Sequence, residues 1–163
     1  MLRLKHGDPA EAETLLAASD RPVVLVDAMV PGIPAVRVAD QAGAAAAMAH
    51  ALSKRPDRIV IPSFPVAADE VADALRQRAR PTRGWVGTER LLGYLKSLRG
   101  AGFAMERVTF LPVDDSQPAT AAALMAGVRS SLPNGTRLAI VAMSDRLALA
   151  SLTVARRWRG IHI

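Results

Sequence analysis

The sequence predicts an α/β fold in three layers, a mostly parallel sheet with helices on both faces. Three observations predict it. Short apolar runs rich in Val, Ile and Leu recur at residues 23–26, 58–61, 108–111 and 138–143. Stretches with apolar residues at helical spacing separate most of these runs. Polar residues stand where a run ends and a helical pattern begins, as at Ser144 and Asp145. Strands that alternate with helices imply parallel crossovers and helices packed on both sides of the sheet.

Taken in order, residues 9–18 read as a short helix with Pro9 near its first turn. Ser19-Asp20-Arg21-Pro22 is a turn. Val23-Val24-Leu25-Val26 reads as a buried strand, with Asp27 at its carboxyl end. After the loop Pro31-Gly32-Ile33-Pro34, the run Ala35–Ala39 alternates, which predicts a strand with one exposed face near a sheet edge. Asp40 is placed to cap an alanine-rich helix over 41–53, whose inner stripe is Ala44, Met48 and Leu52. Lys54-Arg55-Pro56 ends it, and Arg58-Ile59-Val60-Ile61 is the next buried strand.

Residues 63–87 break the rhythm. A helix over 67–80 is predicted through Val71, Ala74 and Leu75, followed by an arginine-rich end with Arg76, Arg78, Arg80 and Arg83. It reads as an exposed insertion, its arginines solvated rather than bound to nucleic acid. Thr88 then caps a helix over 89–99 that turns Leu91, Leu95 and Leu98 inward, and Gly100-Ala101-Gly102 stops it. Val108-Thr109-Phe110-Leu111 is a strand. Asp114-Asp115-Ser116 precede a helix over 118–130 with Pro118 in its first turn. Pro133-Asn134-Gly135-Thr136 is a helix-to-strand turn. The strand 138–143 follows, then a helix opened by Ser144 and Asp145, with Leu147, Ala150, Val154 and Trp158 at helical spacing.

With 163 residues the chain is long enough to bury a real core. It has no cysteine, which excludes disulfides and thiolate metal sites and fits a reducing cytosol. The net charge of +6 comes from 21 Lys and Arg against 15 Asp and Glu. That excess reads as an arginine-rich surface. With one Tyr, two Trp and three Phe, the chain offers no aromatic platform for single-stranded nucleic acid. No apolar run is long enough to span a bilayer. The first eight residues lack the apolar core of a signal peptide. The expected location is therefore cytoplasmic, with no membrane partner.

Catalytic chemistry finds little support. There is no Gly-x-Ser-x-Gly elbow, and His6, His50 and His162 have no metal-ligand spacing. Gly100-Ala101-Gly102 lacks the third glycine of a dinucleotide fingerprint and follows a helix instead of a strand. No catalytic residue, cofactor or metal is expected. What remains is a set of polar residues at strand ends and helix starts: Asp27, Ser63, Asp115, Ser144 and Asp145, with Arg90 in the first turn of its helix. Carboxylates that accept hydrogen bonds from hydroxyls, beside a forked guanidinium, suit a polyhydroxylated ligand. The same residue types also cap helices in the absence of any ligand.

Four blocks carry a family resemblance: Pro22–Asp27, Val36–Ala44, Arg90-Leu91-Leu92-Gly93-Tyr94, and Ala139–Leu149. In order and spacing they resemble the LacI/GalR transcriptional regulators over nearly the whole chain. The resemblance implies a Rossmann-like, partial periplasmic-binding-protein-like type I fold with a sugar-type effector between two lobes. Residues 1–40 would be the remnant of the amino-terminal lobe, a helix and two strands, and 41–163 most of the carboxyl-terminal lobe with its insertion at 63–87. By the same resemblance Arg90 contacts the effector, Asp27 faces the cleft, and Ser144 and Asp145 stand beside the ligand. Ser116 occupies the place where an aromatic often stacks on it.

The departures also carry expectations. No helix-turn-helix is present, so DNA would be read only through a segment absent from this sequence. The strand bringing a second effector-binding aspartate is missing. Arg55-Pro56 stands where the family has Gly-His, so that turn is expected to differ. Apolar faces left uncovered around Val23–Val26, Ile161 and Ile163 predict a homodimer. Two other classes compete with the regulator: a solute-binding protein of a sugar transporter, which shares the fold, and a small Rossmann-like enzyme, which lacks a catalytic group.

Overall fold

Five buried residues in succession, Ile59 to Ser63, mark the centre of the structure. A strand covered on both faces reads as continuous burial instead of alternation, which is the signature of a parallel sheet between helices. The computed structural model describes residues 22–26, 32–64, 86–113 and 117–162. Its strands are β1 (Leu25–Val26), β2 (Ala35–Val36), β3 (Arg58–Ser63), β4 (Val108–Pro112) and β5 (Leu138–Ile140). Its helices are α1 (Asp40–Ser53), α2 (Val86–Gly100), α3 (Pro118–Arg129) and α4 (Asp145–Ala155).

Two parallel sheets form. One holds β1 and β2, paired Leu25 to Ala35 and Val26 to Val36. The other has the order β4-β3-β5. In it Ile59 pairs with Val108 on one side and Ala139 on the other. His162 lies parallel to Arg137 and extends this sheet beyond β5.

The side chains of β3 alternate between two cores, as the pleat requires. Ile59 and Ile61 join Met48 of α1 and Leu91, Leu95 and Leu98 of α2, all fully buried. Val60 points the other way, into Met125, Val128, Leu132 and Leu138. The three layers are thus α1 and α2, the sheet, and α3 with α4. The α1–α2 contact is close because of Gly93, where an added Cβ would lie 2.3 Å from the Gln41 carbonyl oxygen.

Most sequence expectations for these elements hold, with differences that have physical causes. Strand β3 runs on through Pro62 to Ser63. Proline lacks a donor, but its carbonyl accepts the Met143 N–H at 2.9 Å, so the pairing survives. Strand β5 is shorter than expected, although Val141 N–H still donates to Val60 at 3.0 Å. Helix α2 begins at Val86, so Thr88 lies inside its first turn and is not its cap. Asp40 is the first residue of α1 and does not cap it; Ala39 holds that position with no side-chain cap. Helix α4 stops at Ala155, before Trp158, which nevertheless packs against the Val60 cluster.

The reading of Val23–Val26 as a buried strand holds only at Leu25. Val24 and Val26 are 60% and 70% exposed, and Val36 of β2 is 63% exposed. A ribbon of two-residue strands is too narrow to bury both of its faces. The expected helices over 9–18 and 67–80, and with them Asp27, Asp115, Ser116 and Ile163, lie outside the described residues.

Candidate functional site

The carboxyl edge of the three-stranded sheet gathers the remaining polar residues. Here β3 ends at Ser63, followed by Phe64, the β5 run leaves the sheet at Met143, and α1, α2 and α4 begin. In open parallel sheets this edge is where ligands bind.

Once pairing to β3 stops, the carbonyls of Ala142 and Met143 need donors from elsewhere. Helix α2 supplies them from one face. Arg90 Nη1 donates to the Met143 carbonyl. Tyr94, one turn later, donates its hydroxyl to the Ala142 carbonyl at 3.1 Å. Burial raises the Tyr94 phenol pKa, so it stays a neutral donor. The other side of Arg90 meets α1, where Nε donates to Asp40 Oδ1 at 2.7 Å. The Arg90 side chain is 28% exposed and the Asp40 side chain 8%. The guanidinium also lies 6.0 Å from the centre of the Phe64 ring, at the end of β3.

Every landmark of the Arg90–Tyr94 block therefore has a structural role. Arg90 and Tyr94 hold the exit of β5, Leu91 fills the core, and Gly93 admits α1. Asp40 is the residue that sequence reasoning missed as part of this edge. An aspartate at a helix start signals capping, and nothing local distinguishes that from an ion pair with a residue 50 positions away.

The other described candidates lie around this pair. Ser63 is buried at the end of β3. Ser144 does cap α4, its Oγ accepting the Leu147 N–H at 3.3 Å. Asp145 is exposed in the first turn, with Oδ1 accepting the Arg146 N–H at 2.8 Å. The structure thus brings Arg90, Ser144 and Asp145 to one edge, with Ser63 beneath it. Among the described residues no group of three or more His, Asp or Glu is placed to hold a metal, and His50 is exposed on α1.

A cavity of about 290 Å³ lies at the opposite, amino edge of the sheet. Leu52, Arg55, Asp57, Phe103, Arg107 and Arg137 line it. Asp57, Arg107 and Arg137 are tied up with one another and with their neighbours. Arg137 pairs with both carboxylate oxygens of Asp57, and Arg107 donates to the Asp57 carbonyl at 2.7 Å while stacking 4.6 Å from the Phe103 ring. The Asp57–Arg137 pair pulls the Asp57 pKa below the usual carboxylate value.

The family model for periplasmic binding proteins and the sugar-binding domain of the LacI family matches residues 14–161. The chain belongs to this family. The fold is shared with a LacI family transcriptional regulator from Enterococcus faecium with bound ribose: TM-score 0.65, 18% identity, 92% of this chain and 49% of that one. It is also shared with the Cra transcriptional dual regulator from Pseudomonas putida in complex with fructose 1-phosphate: TM-score 0.65, 18% identity, 91% of this chain and 48% of that one. A putative LacI family regulator from Sanguibacter keddieii is 26% identical, with TM-score 0.61 over 89% of this chain and 48% of that one. The chain spans about half the length of these structures. No curated protein sequence matches it. The family is one of binding domains, and no described helix is long and apolar enough to cross a membrane.

Proposed function

We propose that this chain is the effector-sensing region of a DNA-binding transcriptional regulator, taking a sugar or related polyol, and that it is not an enzyme. The observation that carries the reading is Arg90. In a chain of a sugar-binding family, its guanidinium sits partly exposed at the carboxyl edge of the sheet, held from two sides by Asp40 and the Met143 carbonyl. Ser144 and Asp145 supply further hydrogen-bonding groups at that edge, and Asp27, Asp115, Ser116 and Ser63 complete the candidate set. The sheet of β1 and β2 belongs, in this reading, to the amino-terminal lobe (1–40) and the sheet of β3, β4 and β5 to the carboxyl-terminal lobe (41–163).

The regulator acts in the cytoplasm as a homodimer. The exposed Val24, Val26, Val36 and Val38 support association, since exposed apolar patches mark interaction surfaces. Light scattering tests this, and a stable monomer contradicts it. DNA contact is assigned to a helix-turn-helix of the intact regulator. Added sugar should then change how the intact regulator holds its operator, and Arg90→Ala should abolish that response; an unaltered response removes Arg90 from the mechanism. The second reading, a transporter's solute-binding protein, is favoured by the shared family description. The reading frame upstream separates the two: a helix-turn-helix supports the regulator, a signal peptide the transporter.

A further inference from the structure

We infer that the cavity at the amino edge of the sheet is a second binding site, for a phosphate group that is free or carried on a small organic molecule. The parallel topology gathers its cations. Arg55 lies in the turn that feeds β3, Arg107 immediately precedes β4, and Arg137 immediately precedes β5; the three strands are neighbours in the order β4-β3-β5. All three arginines line the cavity, and among the described residues around it Asp57 is the one carboxylate. Asp57 is already committed, since both of its oxygens accept from the Arg137 side chain and one also accepts the Arg137 backbone N–H. Three guanidinium groups against one carboxylate leave the cavity positive, and the exposed neighbours in sequence, Lys54, Arg58 and Glu106, do not reverse that balance.

The hydrogen bonds leave the right groups over. An arginine grips a phosphate through two adjacent N–H groups on two oxygens. Arg107 and Arg137 each spend the same edge of the guanidinium inside the protein, the one formed by Nε and Nη2. In Arg107 that edge donates to the carbonyls of Asp57 at 2.7 Å and Pro56 at 3.2 Å. In Arg137 it grips the Asp57 carboxylate at 3.3 and 3.1 Å. The outer edge, one N–H from each Nη, meets no acceptor among the described residues in either arginine. The internal bonds, and the Phe103 ring 4.6 Å from the Arg107 guanidinium, hold both groups in place before a ligand arrives. Arg55 is exposed, and its side chain has no hydrogen bond or ion pair among the described residues. Its backbone nevertheless sits at φ +52°, a costly conformation for a residue with a Cβ. A long cationic side chain held at such a position with no role in the fold is free to close on an anion. Leu52, Ala101 and Phe103 supply an apolar wall for an organic body, and a volume of about 290 Å³ suits a small one.

The test is calorimetric titration of the purified protein with inorganic phosphate and with glycerol 3-phosphate, against chloride at matched ionic strength. Amide chemical shifts from NMR then locate the bound anion in the wild-type protein without any variant. The expected result is saturable binding of a phosphate but not of chloride, with shift changes at Arg55, Asp57, Phe103, Arg107 and Arg137. Tighter binding of glycerol 3-phosphate assigns the site to an organic phosphate, and tighter binding of inorganic phosphate assigns it to the free ion. Arg55→Gly should weaken binding by about tenfold or more. Glycine suits the backbone at that position, so the loss cannot come from unfolding, and circular dichroism checks this. Three results would each overturn the inference: neither phosphate binds beyond chloride, the shift changes fall only around Arg90 and residues 142–145, or Arg55→Gly binds as the wild type does.

Discussion

Arg90 Nε and Asp40 Oδ1 lie 2.7 Å apart and join the first turn of α2 to the first residue of α1. The pair is part of the architecture as well as of the candidate site. Asp40→Ala leaves a partly buried guanidinium with only the Met143 carbonyl as a firm partner. Breaking such a pair from one side costs more than the pair contributes. With Arg90 28% exposed, the expected loss is about 1–3 kcal/mol. Urea unfolding of Asp40→Ala and Asp40→Asn measures it, and the Asn variant should lose less because it still accepts the Nε hydrogen.

Gly93 is where α1 and α2 approach closest. Its added Cβ would meet the Gln41 carbonyl oxygen at 2.3 Å and the Ala45 nitrogen at 2.9 Å, both backbone atoms that cannot move aside alone. Gly93→Ala should therefore destabilise by about 1–3 kcal/mol despite the better helix propensity of alanine. Gly127 of α3 has nothing within 4 Å of the same virtual atom, so Gly127→Ala is the matched control. It should be neutral or stabilise by up to about 1 kcal/mol. Equal effects in the two variants would remove the close-packing account of Gly93.

Arg55 adopts φ +52°, the left-handed region that glycine occupies without cost. Arg55-Pro56 stands where the family has Gly-His, and Arg55 adopts there a conformation suited to glycine. Arg55→Gly should thus stabilise the fold by about 0.5–1 kcal/mol after allowing for the greater flexibility of glycine in the unfolded chain, read as a higher midpoint in urea unfolding. A lower midpoint would mean that the Arg55 side chain matters more than its backbone strain.

Asp57 at the amino edge binds the Arg137 guanidinium through both carboxylate oxygens and accepts the Arg137 backbone N–H at 2.8 Å. Its carboxyl pKa is lowered chiefly by the hydrogen bond from the Arg137 side chain, then by the backbone hydrogen bond. A folded-state pKa below the unfolded one stabilises above the unfolded value and loses that stabilisation as pH falls through the folded value. Thermal midpoints of wild type and Asp57→Asn should differ most near neutral pH and converge as the solution is acidified below the ordinary carboxylate value of 3.8. Added salt should narrow the gap, since both side chains are well exposed.

The alternation of apolar runs with helical stripes was enough to place β3, α2 and α4, because each buries a continuous or evenly spaced set of residues. Ile59–Ile61 and Leu91, Leu95 and Leu98 all fill the core that their spacing predicts. Boundaries were less legible where backbone pairing decides them. Pro62 continues β3 by lending its carbonyl, and Thr88 loses its capping place to an earlier start of α2. Burial of Val24 and Val26 was misread because a β-branched run looks the same whether or not anything covers it. At the site, Ser144 was legible as a cap and Arg90 as a rim residue. Asp40 was not legible as the partner of Arg90, since their pairing depends on how α1 and α2 cross.

The central claim is that a sugar-type ligand binds at the carboxyl edge through Arg90. Calorimetric titration of the purified protein against a panel of sugars and polyols tests it most directly, with Arg90→Ala compared with Arg137→Ala at the opposite edge. Both variants should first be shown to fold by circular dichroism. The account predicts saturable binding that Arg90→Ala removes and Arg137→Ala retains. Binding unaffected by Arg90→Ala, or no binding by any member of the panel, would contradict it.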